Sequence, residues 1–266
     1  MYKEKNTNME PIKIIAMSDL HGYLPKVEDN FDILLICGDI CPAHDHYYDY
    51  QKKWFEKEFI RWVNELPYKD AFSVVVMTWG NHDFIGERTN EGMNKDYKNR
   101  THGRLNILKN DTLSVEYLAK DRVGTIYIGG TPYCKIFGSW AFMVSDEMLR
   151  EKYSRMPNNL DILITHDSPR VNELGMIKEG WNNGVDAGNK ILDEWIINNN
   201  PKYLFSGHIH SGNHTFEKIG ETWMSNVSLV NEQYNPTNPA LGFEIDRETK
   251  ELIEWYPVLF NDFERF

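Results

Sequence analysis

The chain has 266 residues and a formal net charge of −11, which disfavours binding to a polyanion such as duplex nucleic acid. Hydrophobic residues make up 41% and aromatic residues 13% of the sequence, enough for a dense core, and this composition excludes a disordered chain. The three cysteines form no CxxC pair, so we expect a reducing compartment. The residues before Asp19 contain no continuous apolar segment, which predicts neither a signal peptide nor a membrane span and favours a cytoplasmic location.

Short apolar runs rich in β-branched residues predict buried strands at 12–17, 33–36, 72–77, 162–164 and 203–205. An amphipathic helix is predicted over 49–66, where Phe55, Phe59 and Trp62 fall at helical spacing. A second helix is predicted over 187–198, because Pro201 ends its periodic pattern.

Alternating segments predict antiparallel strands at 112–118, 123–128, 215–219, 222–227, 242–245 and 252–255. Together with the buried strands they predict a two-sheet sandwich flanked by helices. Two stretches fit neither pattern and are interpreted as insertions over one face: a polar, loop-like segment at 84–104, and 133–157 with a short helix near 146–153. No repeat or low-complexity linker interrupts the chain, so we expect a single domain over 1–266.

Each of the buried strands is followed by a short group of potential metal ligands. In chain order these are Asp19 and His21, then Asp39, then Asn81 with His82 and Asp83, then His166, then His208 and His210. The carboxyl ends of the strands in an α/β sheet face a common crevice, so these side chains are expected to converge. A single histidine after a strand is as often structural as functional, but five such groups in succession predict a metal site.

The ligand types indicate which metals the site would take. Imidazole nitrogens with carboxylate and amide oxygens suit Mn²⁺, Fe or Zn²⁺, and no cysteine lies in any group. We expect two divalent ions, with Mn²⁺ ranked first and Asp39 as the bridging carboxylate. Gly38, Gly80 and Gly207 directly precede ligand groups, as expected where the backbone must turn sharply beside the ions.

These groups, in this order, resemble the signature blocks of calcineurin-like metallophosphoesterases: Asp19-Leu20-His21, Gly38-Asp39, Gly80-Asn81-His82-Asp83, His166 and Gly207-His208-Ile209-His210. The resemblance runs from about residue 12 to about residue 257. It implies an α/β fold, a four-layer αββα sandwich of two mixed β-sheets with the metal site at the carboxyl ends of the strands.

The resemblance also implies roles for the site residues. One metal would be held by Asp19, His21, Asp39 and His210, and the other by Asp39, Asn81, His166 and His208. A metal-bridging hydroxide would be the nucleophile, and His82 would stabilise the phosphoryl group and protonate the leaving alkoxide. Asp83 would hold the His82 imidazole in its working tautomer.

The substrate is expected to be a small phosphorylated molecule, with a nucleotide as a candidate. Protein Ser/Thr phosphatases of this superfamily carry Asp-Arg-Gly soon after Gly-Asp, whereas this chain continues as Ile40-Cys41-Pro42 and lacks that phosphate-binding arginine. We therefore favour a phosphodiester. The chain is similar to small metallophosphoesterase-domain phosphodiesterases that act on cyclic nucleotides at 131–133, 140–142, 161–166 and 236–239, although Asp167 replaces their usual glycine and is expected to alter the pocket rim.

Several alternatives remain open. Tyr133, Phe137, Trp140 and Phe142 could stack on a nucleobase or pack in the core. The histidines His44, His46 and His102 are interpreted as exposed loop residues that could instead line the pocket. A phosphomonoesterase, a single-strand nuclease or a scaffold on the same fold are the competing functions. The sequence carries no signal for membrane association or oligomeric state.

Overall fold

The computed structural model describes residues 9–265. Its strands, in chain order, are β1 (Ile12–Met17), β2 (Tyr23–Pro25), β3 (Ile33–Cys37), β4 (Val74–Thr78), β5 (Leu105–Leu108), β6 (Asp111–Leu118), β7 (Val123–Thr131), β8 (Cys134–Lys135), β9 (Met143–Val144), β10 (Ile162–Thr165), β11 (Tyr203–Ser206), β12 (Glu217–Ile219), β13 (Thr222–Asn226), β14 (Ala240–Ile245), β15 (Leu252–Val258) and β16 (Phe263–Arg265). The α-helices are α1 (Tyr48–Trp54), α2 (Ile60–Glu65), α3 (Phe84–Arg88), α4 (Glu91–Arg100), α5 (Asp146–Ser154) and α6 (Lys190–Asn199). A π-helical turn, Phe55–Phe59, joins α1 to α2, and Val171–Glu173 forms a 3₁₀ turn.

The strands form two six-stranded mixed sheets. The first has the order β15-β14-β1-β3-β4-β5, in which β1, β3, β4 and β5 are parallel, β14 pairs antiparallel with β1, and β15 pairs antiparallel with β14. The second has the order β12-β13-β11-β10-β7-β6, in which β13, β11, β10 and β7 are parallel and the two edge strands are antiparallel. In each sheet four neighbouring strands are parallel, so their carboxyl ends can form one continuous crevice.

Side chains that alternate between the two faces of each strand build three apolar layers. Ile12 and Ile14 of β1 and Ile162 and Ile164 of β10 point into the layer between the two sheets. The intervening residues face outward, because successive side chains of a strand point to opposite faces. The outer face of the first sheet packs against α1 to α4, and that of the second packs against α5 and α6. The predicted α/β fold, a four-layer αββα sandwich, is confirmed.

The helices follow their local sequence signals. The predicted helix over 49–66 is continuous from Tyr48 to Glu65 through the π-helical turn and buries Phe55 and Phe59 against the first sheet. The second predicted helix begins at Lys190 rather than at 187, because the Asn189 side chain accepts hydrogen bonds from the amides of Ile191 and Leu192 and caps it there.

One predicted segment was wrong. Residues 84–104 were expected to form a loop but contain α3 and α4. Asn90 caps α4 by accepting a hydrogen bond from the Met93 amide, while Tyr97 is the residue of α4 that is buried. Because α4 has so little apolar surface, its sequence shows no helical periodicity of apolar residues. The N-cap residue is the local signal of the helix that remains.

The other insertion contains the helix that was predicted near 146–153, now seen as α5 and capped by Ser145. Its first part lies over the crevice, since the Ala141 amide donates to the Asn81 carbonyl. In residues 9–265, no helix combines the length and the apolar character needed to cross a bilayer.

Candidate metal centre

The candidate ligands lie in the loops that directly follow β1, β3, β4, β10 and β11, and the fold brings these loops together at one edge of the sandwich. Most of their side chains are removed from solvent: Asp19 is 0%, Asp39 1%, Asn81 1% and His166 0% exposed, whereas His208 is half-buried. Charged groups this deeply buried require partners, because an unpaired charge in a low-dielectric interior is strongly unfavourable.

Asp19, His21 and His210 form the first group. The Nε2 atom of His210 lies 3.3 Å from Oδ1 of Asp19, and the Nε2 atom of His21 lies 3.9 Å from the same oxygen. The two Nε2 atoms are 3.4 Å apart. The potential ligand atoms of this group all lie within 4.8 Å of one another.

Asp39, Asn81 and His166 form the second group. The Nε2 atom of His166 lies 3.4 Å from Oδ2 of Asp39 and 2.8 Å from Oδ1 of Asn81. The His208 ring is 5.1 Å from the His166 ring, measured between centroids. Oδ2 of Asp39 also lies 3.6 Å from Nε2 of His21, so this oxygen faces both groups.

The protonation pattern of the histidines fits a cation. Nδ1 of His166 is 2.9 Å from the Cys37 carbonyl, and Nδ1 of His210 is 3.0 Å from the Asn231 carbonyl. A carbonyl only accepts, so each Nδ1–H donates to it, and when the ring is neutral its Nε2 lone pair is directed into the site. The lone pairs of the imidazoles then face the oxygens of Asn81 and of the carboxylates. A divalent cation is the partner that suits such a set of donor atoms.

The electrostatics of the residues alone lead to the same conclusion. Burial alone would raise the pKa of Asp39, but the neighbouring histidines, His166 first, lower that pKa well below its usual range. Although burial opposes it, Asp39 raises the pKa of His166 to about 10. Burial lowers the pKa of both His21 and His208 to about 3. The carboxylates thus stay ionised and attract positive charge, which bound divalent ions would supply in place of protons.

The backbone at the ligands is unusual. Asp19, His21, Asp39 and His208 all have positive φ, at 55°, 44°, 52° and 67°. Non-glycine residues adopt this region rarely, and such conformations concentrate at functional sites because the surrounding structure must enforce them.

All three glycines predicted beside the ligand groups allow close approach, since a Cβ at Gly38 would lie 2.6 Å from Nδ1 of His166. A Cβ at Gly80 would overlap Oδ1 of Asp39, and a Cβ at Gly207 would overlap Oδ2 of Asp19. Any side chain at either position would therefore displace a carboxylate of the site.

The predicted role of Asp83 needs correction. Its carboxylate does not hold the His82 imidazole. Oδ1 accepts from the amides of Ile40 and Cys41 at 3.0 and 2.8 Å, and Oδ2 accepts from the amides of Gly80 and Ile40 at 2.8 and 3.2 Å. Asp83 is therefore a clamp that ties the loop carrying Asp39 to the loop carrying Asn81. Burial, and then the charge of Asp39, raise its pKa to about 6.

His82 lies beside the two ligand groups and has its own surroundings. Its backbone amide donates to Oδ1 of Asp39 at 2.7 Å. Its ring stacks on Trp140 with 4.4 Å between centroids and 30° between planes. Nδ1 of His82 is 2.9 Å from Nε2 of His46, a residue that the sequence pattern assigned by default to an exposed loop. Burial lowers the pKa of His82.

The structure also separates the candidate pocket aromatics. Phe142 is 3% exposed and packs in the core, where Tyr133 contacts it edge-on. Phe137 is 51% exposed and lies 5.0 Å from the His208 ring, so it borders the site. Sequence reasoning missed Tyr234, whose ring lies 4.7 Å from the His21 ring and 5.1 Å from the His210 ring. Its position next to the Pro-Thr-Asn-Pro segment was the available signal.

Asp167 does not lie at the pocket rim as expected. It is 0% exposed, and its Oδ2 accepts from the Lys135 amide at 3.1 Å and from Nδ2 of Asn189 at 2.9 Å. It thereby connects the insertion that contains Lys135 to the cap of α6, in the interior rather than at the surface.

Comparison with known proteins agrees with this fold and site. The family model described as calcineurin-like phosphoesterase matches residues 12–212, and the chain therefore belongs to this metallophosphoesterase family. The groups of buried residues that could hold a metal ion agree with membership in this family.

Two curated relatives and one solved structure are similar to the chain. UPF0046 protein T07D4.2 of Caenorhabditis elegans is 24% identical over 233 residues, which cover 80% of this chain and 54% of that protein. The chain thus spans about half the length of that relative. Metallophosphoesterase domain-containing protein 1 of Homo sapiens is 25% identical over 259 residues, covering 88% of this chain and 71% of its own length. The protein TT1561 of Thermus thermophilus shares the fold, with a TM-score of 0.56, 13% identity, and coverage of 94% of this chain and 100% of that one.

Proposed function

We propose that this protein hydrolyses phosphodiesters with two divalent metal ions. The observation that carries the proposal is the position of Asp39, whose Oδ2 faces His21 of one ligand group at 3.6 Å and His166 of the other at 3.4 Å. Asp19, His21, Asp39 and His210 would hold one ion, and Asp39, Asn81, His166 and His208 the other. Mn²⁺ is our first choice, since imidazole and oxygen ligands without thiolate suit it as well as Fe or Zn²⁺.

The charge of the site supports a diester over a monoester. In the described part of the chain, the ion pairs of Asp19 and Asp39 are all with histidines, and none is with arginine or lysine. A dianionic phosphomonoester is commonly bound by the two parallel hydrogen bonds of an arginine guanidinium, whereas a monoanionic diester needs less positive charge for binding.

The residues have separate tasks in this proposal. Bound ions would neutralise the phosphate and supply a nucleophilic hydroxide from water at neutral pH. The chain fixes the ligand oxygens and nitrogens, and its buried site excludes bulk water. His82, stacked on Trp140 beside the site, would donate a proton to the departing oxygen of the substrate.

The rim favours a substrate that carries an aromatic group. Phe137 on the His208 side and Tyr234 on the His21 side offer ring faces and edges next to the metal centre. A nucleobase is such a group, and stacking on an aromatic side chain contributes about 1–3 kcal/mol per base. Cyclic nucleotides are therefore the first diesters to examine.

We further propose that residues 1–266 act as one domain. The cytoplasmic location stays a prediction.

The test compares hydrolysis of bis-p-nitrophenyl phosphate with that of p-nitrophenyl phosphate in the presence of Mn²⁺, with a chelated sample as the blank. Faster metal-dependent cleavage of the diester is expected and would justify a panel of cyclic nucleotides and single-stranded oligonucleotides. Faster cleavage of the monoester would instead support a phosphomonoesterase. No metal-dependent cleavage of either would support the scaffold alternative.

A further inference from the structure

His46 lies in the loop between β3 and α1, seven residues after Asp39. Its Nε2 atom is 2.9 Å from Nδ1 of His82. This distance is that of a hydrogen bond, so one of the two nitrogens donates and the other accepts.

The two imidazoles share an aromatic enclosure. Trp140 stacks on His82 at 4.4 Å and meets His46 edge-on at 5.2 Å with 82° between planes. Phe84 lies 5.6 Å from the His46 ring. The His82 ring is thus fixed in its plane by Trp140 and in its rotation by His46. A stack alone leaves rotation within the plane free, so the hydrogen bond is what selects the nitrogen that faces the site.

We propose that His46 is a positioning residue for His82, accepting the Nδ1–H of His82 so that its Nε2–H is directed at the leaving group; this rests on the proposed phosphodiester hydrolysis. Both oxygens of Asp83 are committed to backbone amides, so the carboxylate next to His82 in sequence does not reach this Nδ1. His46 performs the orienting role that the sequence assigned to Asp83.

The proton balance is simple. As the bond between phosphorus and the leaving oxygen breaks, that oxygen takes the proton from Nε2 of His82 and departs as an alcohol. His82 becomes neutral and keeps its Nδ1 proton in the hydrogen bond to His46, so the ring does not turn. It then regains a proton from water at Nε2. His46 neither gains nor loses a proton in this cycle.

The experiment uses diesters with leaving groups of different basicity. p-Nitrophenolate departs without protonation, whereas an unsubstituted phenolate or an alkoxide needs the acid. His46→Leu should lower kcat for the poor leaving groups by about 10- to 100-fold, the usual loss for a removed supporting contact. KM, and turnover of the p-nitrophenyl diester, should change little. His46→Gln, whose amide oxygen can accept from Nδ1–H, should restore most of the loss.

A double variant and a matched control complete the test. In a His82→Ala background, His46→Leu should add nothing, because its effect passes through His82. His44→Ala removes a histidine of the same loop, one that bonds Tyr50 instead, and should leave the leaving-group dependence unchanged. Equal losses on all substrates, or independent losses in the double variant, would overturn the proposal.

A measurement without turnover separates this inference from the proposed function. In proton–nitrogen NMR spectra of histidine-labelled protein, the ring N–H of His82 should give a slowly exchanging signal in the wild type and in His46→Gln but not in His46→Leu. Its absence from the folded wild type would refute the hydrogen bond whatever the substrate. Presence of the signal together with no diesterase activity would instead reject the proposed function alone.

Discussion

Replacing Asp83 by asparagine tests whether the carboxylate clamp builds the metal site. Asp83 uses both oxygens, with Oδ1 on the amides of Ile40 and Cys41 and Oδ2 on the amides of Gly80 and Ile40. Asparagine keeps one acceptor oxygen but presents an NH₂ group to the remaining amide donors. The substitution is nearly isosteric, so its effect reports the hydrogen bonds rather than a cavity.

The magnitude follows from the bonds affected. At least one buried amide loses its acceptor, which costs about 1–3 kcal/mol, and the retained bonds change from charge-assisted to neutral, which removes about 1 kcal/mol more. We expect a loss of about 2–4 kcal/mol, which lowers Tm by roughly 5–15 °C in a protein of this size. Because the clamp holds the loop carrying Asp39, Mn²⁺ affinity should fall as well.

The assays are thermal unfolding of the chelated protein and calorimetric titration with Mn²⁺. Asp246→Asn is the matched control: Asp246 uses only Oδ1 to accept from the amides of Glu248 and Thr249 in an exposed turn, and asparagine can retain both bonds. That variant should change neither Tm nor metal affinity appreciably. If Asp83→Asn matched the control in both measurements, the clamp would have no energetic role and our reasoning would be refuted.

Three other substitutions probe the site. Asp39→Asn should reduce the bound metal below two ions per chain, and metal analysis that still finds two would contradict the bridging assignment. His82→Ala should retain both ions yet lose about 10²- to 10⁴-fold in kcat for diesters with poor leaving groups; unchanged turnover of such a diester in a metal-replete sample would remove His82 from the mechanism. Gly80→Ala should weaken Mn²⁺ binding in titrations, because its Cβ would overlap Oδ1 of Asp39, and wild-type affinity would show that the loop relaxes freely.

The fold and the ligand cluster were predictable because each rests on a local rule. Apolar runs such as 162–164 mark central strands, and side chains that follow parallel strands meet at one edge of the sheets. Asp39 follows β3 of the first sheet and His166 follows β10 of the second, so their convergence also requires the two sheets to pack with the carboxyl ends of their parallel strands at the same edge. The helix α4 was not predicted because Tyr97 is its buried residue, so the sequence contains no helical periodicity of apolar residues to detect.

The hydrogen-bond partners of Asp83 and His82 could not be predicted because they belong to residues that are distant in the sequence. Asp83 meets amides 42 and 43 residues before it, and His82 meets a side chain 36 residues before it. Adjacency in sequence suggested that Asp83 and His82 act together. In the loop after β4, however, their side chains point to different partners, and no spacing rule encodes that choice.

The carboxylates of the site also organise the loops that carry the other ligands. Both oxygens of Asp19 accept from the His208 amide at 3.1 Å, and Oδ1 of Asp39 accepts from the His82 amide at 2.7 Å. Oδ2 of Asp39, in contrast, is left facing the imidazoles. Each carboxylate therefore ties its own loop to a loop from another strand, and Asp83 adds a further tie.

These ties account for the positive φ values at the ligands. Each such residue costs on the order of 1–3 kcal/mol and persists only where several contacts enforce it. Here the enforcing contacts are hydrogen bonds between groups of the protein itself. The ligand geometry is thus set largely by folding, which lowers the reorganisation that metal binding and phosphoester hydrolysis would otherwise require.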